Sequence, residues 1–238
     1  MILFKEPPAS PGELTDLEPT PPPRGRSLWE GIPHDLLCDE LESQFRSAGW
    51  APERRRVYLS PDGVRAVASL DLNPPSPKFA PPPGLSHGVI LYNDNGGERR
   101  LTAYFGFRYS SGAGLLTDKV VSVRHRTSEA NVPEAVEGIK REFERGVKNR
   151  VSKTLVLNQQ VSDPWARNFL YSLGWEQVMP WSHVGKAAEA WKGEANQTAL
   201  RLMACVAVGV GATTPARQPM ILHKAFELCW KQLSGRSE

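Results

Sequence analysis

The chain has 238 residues, with 29 Lys and Arg against 26 Asp and Glu, and a pI near 8.8. A net charge of +3 is far from that of a histone-like polycation; it permits an anionic partner without demanding one. Three cysteines, Cys38, Cys205 and Cys229, are odd in number and lack CxxC spacing, which argues against a disulfide framework and a thiolate zinc site and for small core residues in a reducing cytosol.

The N-terminal "MILFKEPP" has no basic start followed by an apolar core, so it does not read as a signal peptide. Proline is dense through residues 6–26, which blocks helix and central strand. Residues 1–32 therefore read as an extended leader, acidic over residues 1–23, where Glu6, Glu13, Asp16 and Glu18 stand against Lys5 alone. From His34, "HDLLCDELESQFRSAGW" places Leu36, Leu37, Leu41 and Phe45 on one helical face, with Gly49 as the stop. "RRRVYLSPDGVRAVASLDL" reads as a hairpin around Ser-Pro-Asp-Gly. After a Pro-rich connector at 73–84, strands are expected at 87–93, 99–110 and 118–127.

The period then changes. Apolar residues recur every three to four positions from Val132 to Leu155, which predicts one long amphipathic helix with Pro133 in its first turn. "DPWARNFLYSLGW" predicts a second helix, capped by Asp163, with Pro164 first and Gly174 ending it. "HVGKAAEAW", "NQTALRLMACVAVGVG" and "PMILHKAFELCWKQL" predict three more. The longest apolar run, 202–212, is too short to cross a bilayer, so no membrane partner is expected. The expected fold is α+β: a helix, an antiparallel sheet of about five strands, then a helical C-terminal half. The expected organisation is the leader followed by a single domain over 33–238, with a sheet part at 33–128 and a helical part at 132–233.

Chemistry-bearing stretches are few. "YNDNGG" makes a tight turn that offers Asn93 and Asp94 as loop candidates, and "SSGAG" offers Ser110 and Ser111 without the Gly-Lys-Ser/Thr of a phosphate loop. In "VRHRT", strand alternation sets Arg124 and Arg126 on one face about 7 Å apart, a spacing suited to successive phosphates, with His125 opposite. Arg108, the "RRR" at 54–56 and the "ERR" at 98–100 extend a basic sheet edge, interleaved by Tyr58, Tyr92, Tyr104 and Tyr109 as stacking platforms. Residues 139–153 add Lys140, Arg141, Arg145, Lys148, Arg150 and Lys153 against Glu142 and Glu144. The five histidines form no HxH, HxxxH or HExxH pair, so neither a metal nor a cofactor is expected.

The succession "SHGVILYNDNGG", "LTAYFGFRYSSGAGLL", "VSVRHRT" and "VPEAVEGIKREFERG" resembles the phage- and plasmid-encoded YfjQ-, YafZ- and YubP-like proteins, the domain-of-unknown-function 932 group. Asn93 and Gly96 or Gly97 match that family's first motif. Gly106, Phe107, Arg108, Gly114 and Leu115 match its second, and His125 and Arg126 its third. The likeness spans residues 34–233. It departs where Ser110-Ser111 replace Cys and Asn, and where the first motif lacks its Ser-His. It implies a mobile-element setting in the cytoplasm of a bacterial host.

Charge, aromatics and resemblance together lead to the expectation of a phage or plasmid DNA-metabolism protein that binds nucleic acid, single-stranded DNA foremost, and aids annealing or recombination. Arg108, Arg124, His125, Arg126, Lys140, Arg141 and Lys148 would meet the strand, and Tyr104 and Tyr109 would stack bases. Two other readings remain open: a protein–protein module that counters a host defence factor, and a hydrolase using His125. The sequence is compatible with a homo-oligomer and with a host or phage protein partner.

Overall fold

A computed structural model describes residues 31–96, 101–109, 115–123, 132–194, 197–211, 213 and 217–235. Helix α1 (His34–Ser47) is followed by strands β1 (Ala51–Leu59), β2 (Arg65–Asn73), β3 (Leu85–Asp94), β4 (Leu101–Tyr109) and β5 (Leu115–Val123). The five strands form one antiparallel sheet in sequence order, β1-β2-β3-β4-β5. Among the described residues five helices follow: α2 (Val132–Leu157), α3 (Asp163–Trp175), α4 (Trp181–Lys192), α5 (Ala199–Val210) and α6 (Gln218–Ser234). The expected α+β class and the order of its parts are those of the structure.

Local chemistry explains the β1–β2 hairpin. Asp62 accepts from the Ser60 hydroxyl at 2.5 Å and from the Val64 amide at 3.1 Å, and Gly63 takes φ +68°. The Ser60 amide closes the loop onto the Arg65 carbonyl at 2.9 Å. Register then runs from Leu59 opposite Ala66 to Ala51 opposite Asn73, with a bulge between Pro52 and Arg54.

Three expected boundaries shift. β5 begins at Leu115 rather than residue 118, because Leu115, Leu116, Thr117 and Asp118 are all buried and show no alternation to read. The α3 cap is Ser162, whose hydroxyl accepts from the Trp165 amide at 3.3 Å; Asp163 is already helical. Gly174 does not end α3, which continues to Trp175.

Contacts divide the chain into two compact units. The first comprises Met1–Lys78, Gly88–Tyr104 and Val120–Gly146. Its core includes the buried face of α1 (Leu37, Leu41, Phe45) and a trio of edge-on rings, Phe45–Phe143 and Trp50–Phe143 at 5.0 Å and Phe45–Trp50 at 6.5 Å. The second comprises Phe79–His87, Phe105–Lys119 and Val147–Glu238. Its core is helical: Leu170 and Leu173 of α3, Val184 and Ala187 of α4, most of α5, and Leu222 and Phe226 of α6. α4 and α5 approach closely at Gly209, where a Cβ would lie 2.5 Å from the His183 carbonyl oxygen. All three cysteines are free and buried, and burial pushes Cys38 and Cys229 up to about 12 and Cys205 up to about 11. No described helix is long and apolar enough to cross a membrane.

Candidate functional site

Among the described residues β1 lies at one edge of the sheet, with no neighbouring strand on one side of its backbone. Its "RRRVYL" run alternates across the pleat. Arg55 turns toward α1, where its guanidinium meets Asp39 at 2.5 Å and Glu42 at 3.4 Å. Val57 and Leu59 are buried on the same side. Arg54, Arg56 and Tyr58 therefore project from the opposite face. Across the register they stand opposite Asp71, Ser69 and Val67 of β2. Arg54 is exposed, and Arg56 and Tyr58 are half-buried. Among the described residues neither arginine makes an ion pair. The result is two adjacent cations beside an aromatic ring, moderated by the carboxylate of Asp71 opposite Arg54.

The structure places the other expected residues unequally. Arg124, His125, Arg126, Ser110 and Ser111 lie outside the described residues. Tyr104 is half-buried on β4, and Tyr109 is the last residue of that strand. Arg108 is only 6% exposed, so it is not displayed to an incoming strand. Phe105 and Phe107, which alternate with it across the pleat, are fully buried as well, so both faces of β4 are covered at this end of the strand.

The loop candidates Asn93 and Asp94 are also buried, and their contacts tie the chain together. The Asn93 side-chain amide donates to the Ile32 carbonyl at 3.1 Å and lies 2.9 Å from His34 Nδ1. Asn95, which the sequence reading did not single out, grips both sides of one peptide residue: it accepts from the Ile32 amide at 3.0 Å and donates to the Ile32 carbonyl at 2.9 Å. Asp94 accepts from the Gly96 amide at 2.9 Å and faces Arg65 Nε at 3.3 Å. His34 Nε2 points at the Gly63 carbonyl at 2.9 Å, which requires the proton on Nε2 and leaves Nδ1 to accept from Asn93. Burial holds His34 below the ordinary imidazole range, consistent with that neutral tautomer.

The 139–153 window is not a uniform basic face. Arg141 pairs with Glu137 at 3.2 Å and Arg145 with Glu142 at 2.5 Å along α2. Lys140 reaches Gln44 at 3.5 Å, and Lys153 pairs with Glu227 at 2.8 Å. Arg150 is fully buried, its Nε 2.7 Å from Asp118 Oδ1, and belongs to the interior of the second unit. Lys148 is exposed and makes no ion pair among the described residues. Helical periodicity explains the outcome: residues 140–153 circle the whole helix, so a linear charge count mixes exposed, paired and buried positions. Among the described residues no group of three His, Cys, Asp or Glu side chains is placed to hold a metal ion.

A further surface escaped the sequence reading altogether. Tyr171, Trp175 and Trp181 are exposed around the α3–α4 connection. The signal was present in "YSLGWEQVMPWSH", where large aromatics occupy helix positions that the apolar stripe does not need. Compared with known proteins, the chain matches no family model, no curated protein and no solved structure.

Proposed function

We propose that this chain binds single-stranded nucleic acid, DNA foremost, along the β1 edge of the sheet. The observation that carries the reading is the pair Arg54 and Arg56, without carboxylate partners among the described residues and next to Tyr58 on an edge strand. Two guanidiniums one strand repeat apart suit successive phosphates, and a half-exposed phenol ring offers a face to an unstacked base. Arg124 and Arg126, outside the described residues, are further proposed contacts. The resemblance to the domain-of-unknown-function 932 proteins supports a phage or plasmid setting, with annealing or recombination as the process served.

Fluorescence anisotropy with labelled single- and double-stranded oligonucleotides, at salt from about 50 to about 200 mM, tests this reading. The single strand is expected to bind more tightly, with affinity falling steeply as salt rises. Arg54→Ala/Arg56→Ala is expected to reduce the steepness of the log–log salt plot by about 1.4, since each single-strand phosphate contact contributes about 0.7. Arg54 is exposed and Arg56 half-buried, so stability should change by no more than about 1 kcal/mol. An absence of binding at the lowest salt overturns the proposal and favours the protein-docking alternative, whose apolar contacts would not weaken with salt.

A further inference from the structure

The hairpin of helices α3 and α4 carries an aromatic groove that the sheet-edge reading does not use. Trp175 is 77% exposed, Tyr171 51% and Trp181 49%. Trp175 meets Trp181 edge-on with centroids 5.3 Å apart, and Tyr171 lies 6.4 Å from Trp181. Three neighbouring aromatic side chains left in water mark a binding surface, because large rings are otherwise the first to be buried.

Trp181 is held in place from behind. A Cβ on Gly174 would lie 2.8 Å from its six-membered ring, so the indole rests directly on bare backbone of α3 while half of it stays open. One turn along α4, Gly185 has no side chain, and nothing lies within 4 Å of where its Cβ would be. The space beside the ring is a cavity of about 330 Å³ with Leu170 and Val184 in its lining. That volume suits one small ligand.

The charged residues that line the same cavity are Arg167, Lys192 and Glu189. Each cation is paired with one partly or fully exposed carboxylate, Arg167 with Asp163 at 2.7 Å and Lys192 with Glu189 at 2.6 Å. Exposed pairs of this kind are weak and yield readily to a phosphate. Asp163 also accepts from Trp191 Nε1 at 3.0 Å, so it keeps a partner when Arg167 turns to an anion.

We infer that this groove takes one unpaired nucleotide of a single strand, its base stacked on Trp181 and its phosphate met by Arg167 and Lys192. The inference rests on the nucleic-acid reading above and adds a base-stacking site within the helical unit. A planar ring with a fixed back and an open front accepts any base, so the site is expected to be sequence-tolerant.

Titrating the full chain with a labelled oligo(dT) of about 16 nucleotides, read by both anisotropy and tryptophan fluorescence, tests it. The indole emission is expected to be quenched on binding. Gly185→Leu fills the groove while raising helix propensity, so it blocks the site without unfolding α4. Gly185→Leu and Trp181→Ala are each expected to weaken oligo(dT) binding by roughly tenfold or more, and Trp181→Phe, which keeps a ring, to retain most of it. Salt-dependent binding that Gly185→Leu leaves unchanged overturns the groove inference alone and leaves the sheet-edge reading standing. No binding of oligo(dT) at about 50 mM salt by any variant or the native chain overturns both.

Discussion

Individual buried polar side chains set how this protein responds to pH and to mutation. His87 is fully buried, with Nε2 donating to the Phe79 carbonyl at 2.7 Å. Burial lowers it to about 4; the Phe79 contact opposes that shift and the nearby Arg150 charge reinforces it. His34 is lowered in the same direction by burial. A histidine held below its unfolded value of 6.5 favours the neutral folded state. Its contribution is complete above that pH and is lost as pH falls toward the folded value. Denaturant unfolding is therefore expected to show stability declining from pH 6.5 to pH 5, by at most about 1.4 kcal/mol per pH unit for each histidine. His87→Gln should flatten part of that slope; an unchanged slope would show that His87 does not couple to folding. Arg150 and Asp118 form the other sensitive point. Arg150→Met leaves the Asp118 carboxylate buried with no cation at its Oδ1, at an expected cost of about 3–5 kcal/mol. Arg150→Met/Asp118→Leu should recover most of that loss, and thermal denaturation of the two variants separates the outcomes. Equal losses in both would mean that the side-chain volume, not the charge, is what matters.

At the scale of elements, glycines determine how closely segments approach. Gly106 on β4 sits where a Cβ would fall 1.9 Å from the Leu116 carbonyl oxygen on β5. Neither backbone can yield as a flexible side chain would. Gly106→Ala is expected to cost about 3 kcal/mol or more, above the usual range for overpacking by one methyl, with the loss visible as a lowered unfolding midpoint. A stability within about 0.5 kcal/mol of the native chain would contradict this close approach. Gly174 plays a related part in α3. Its sequence context reads as a helix stop, yet its function in the fold is to receive the Trp181 ring. A stop needs only local geometry, whereas a ring against bare backbone depends on a partner helix that local pattern does not name. The cap falls on Ser162 rather than Asp163 for a similar reason. Ser162 and Asp163 are both competent caps, and which one stands outside the helix depends on the path by which the chain enters.

For the whole molecule, the periodicities of the chain were enough to read a helix, a sheet of about five strands and a helical second half, because apolar spacing of two or of three to four is imposed by local geometry. The hairpin turn, Pro133 in the first turn of α2 and the span of α2 were legible for the same reason. The candidate site was legible only in part. Residue type located the cations, but exposure decided which of them a ligand can meet. Arg54, Arg55 and Arg56 look alike in sequence; pleating and the place of β1 at the edge turn Arg55 onto the carboxylates of α1 and leave the other two outward. Arg108 is buried while Tyr104 on the same face of β4 stays half-exposed, and what covers each part of a sheet face is not written in any local pattern. Composition, local periodicity and turn chemistry thus belonged to the sequence by itself. The burial of Arg108 and Arg150, the clamp of Asn95 on Ile32 and the open face of Trp181 were decided by tertiary structure, since each depends on which distant segment packs against it.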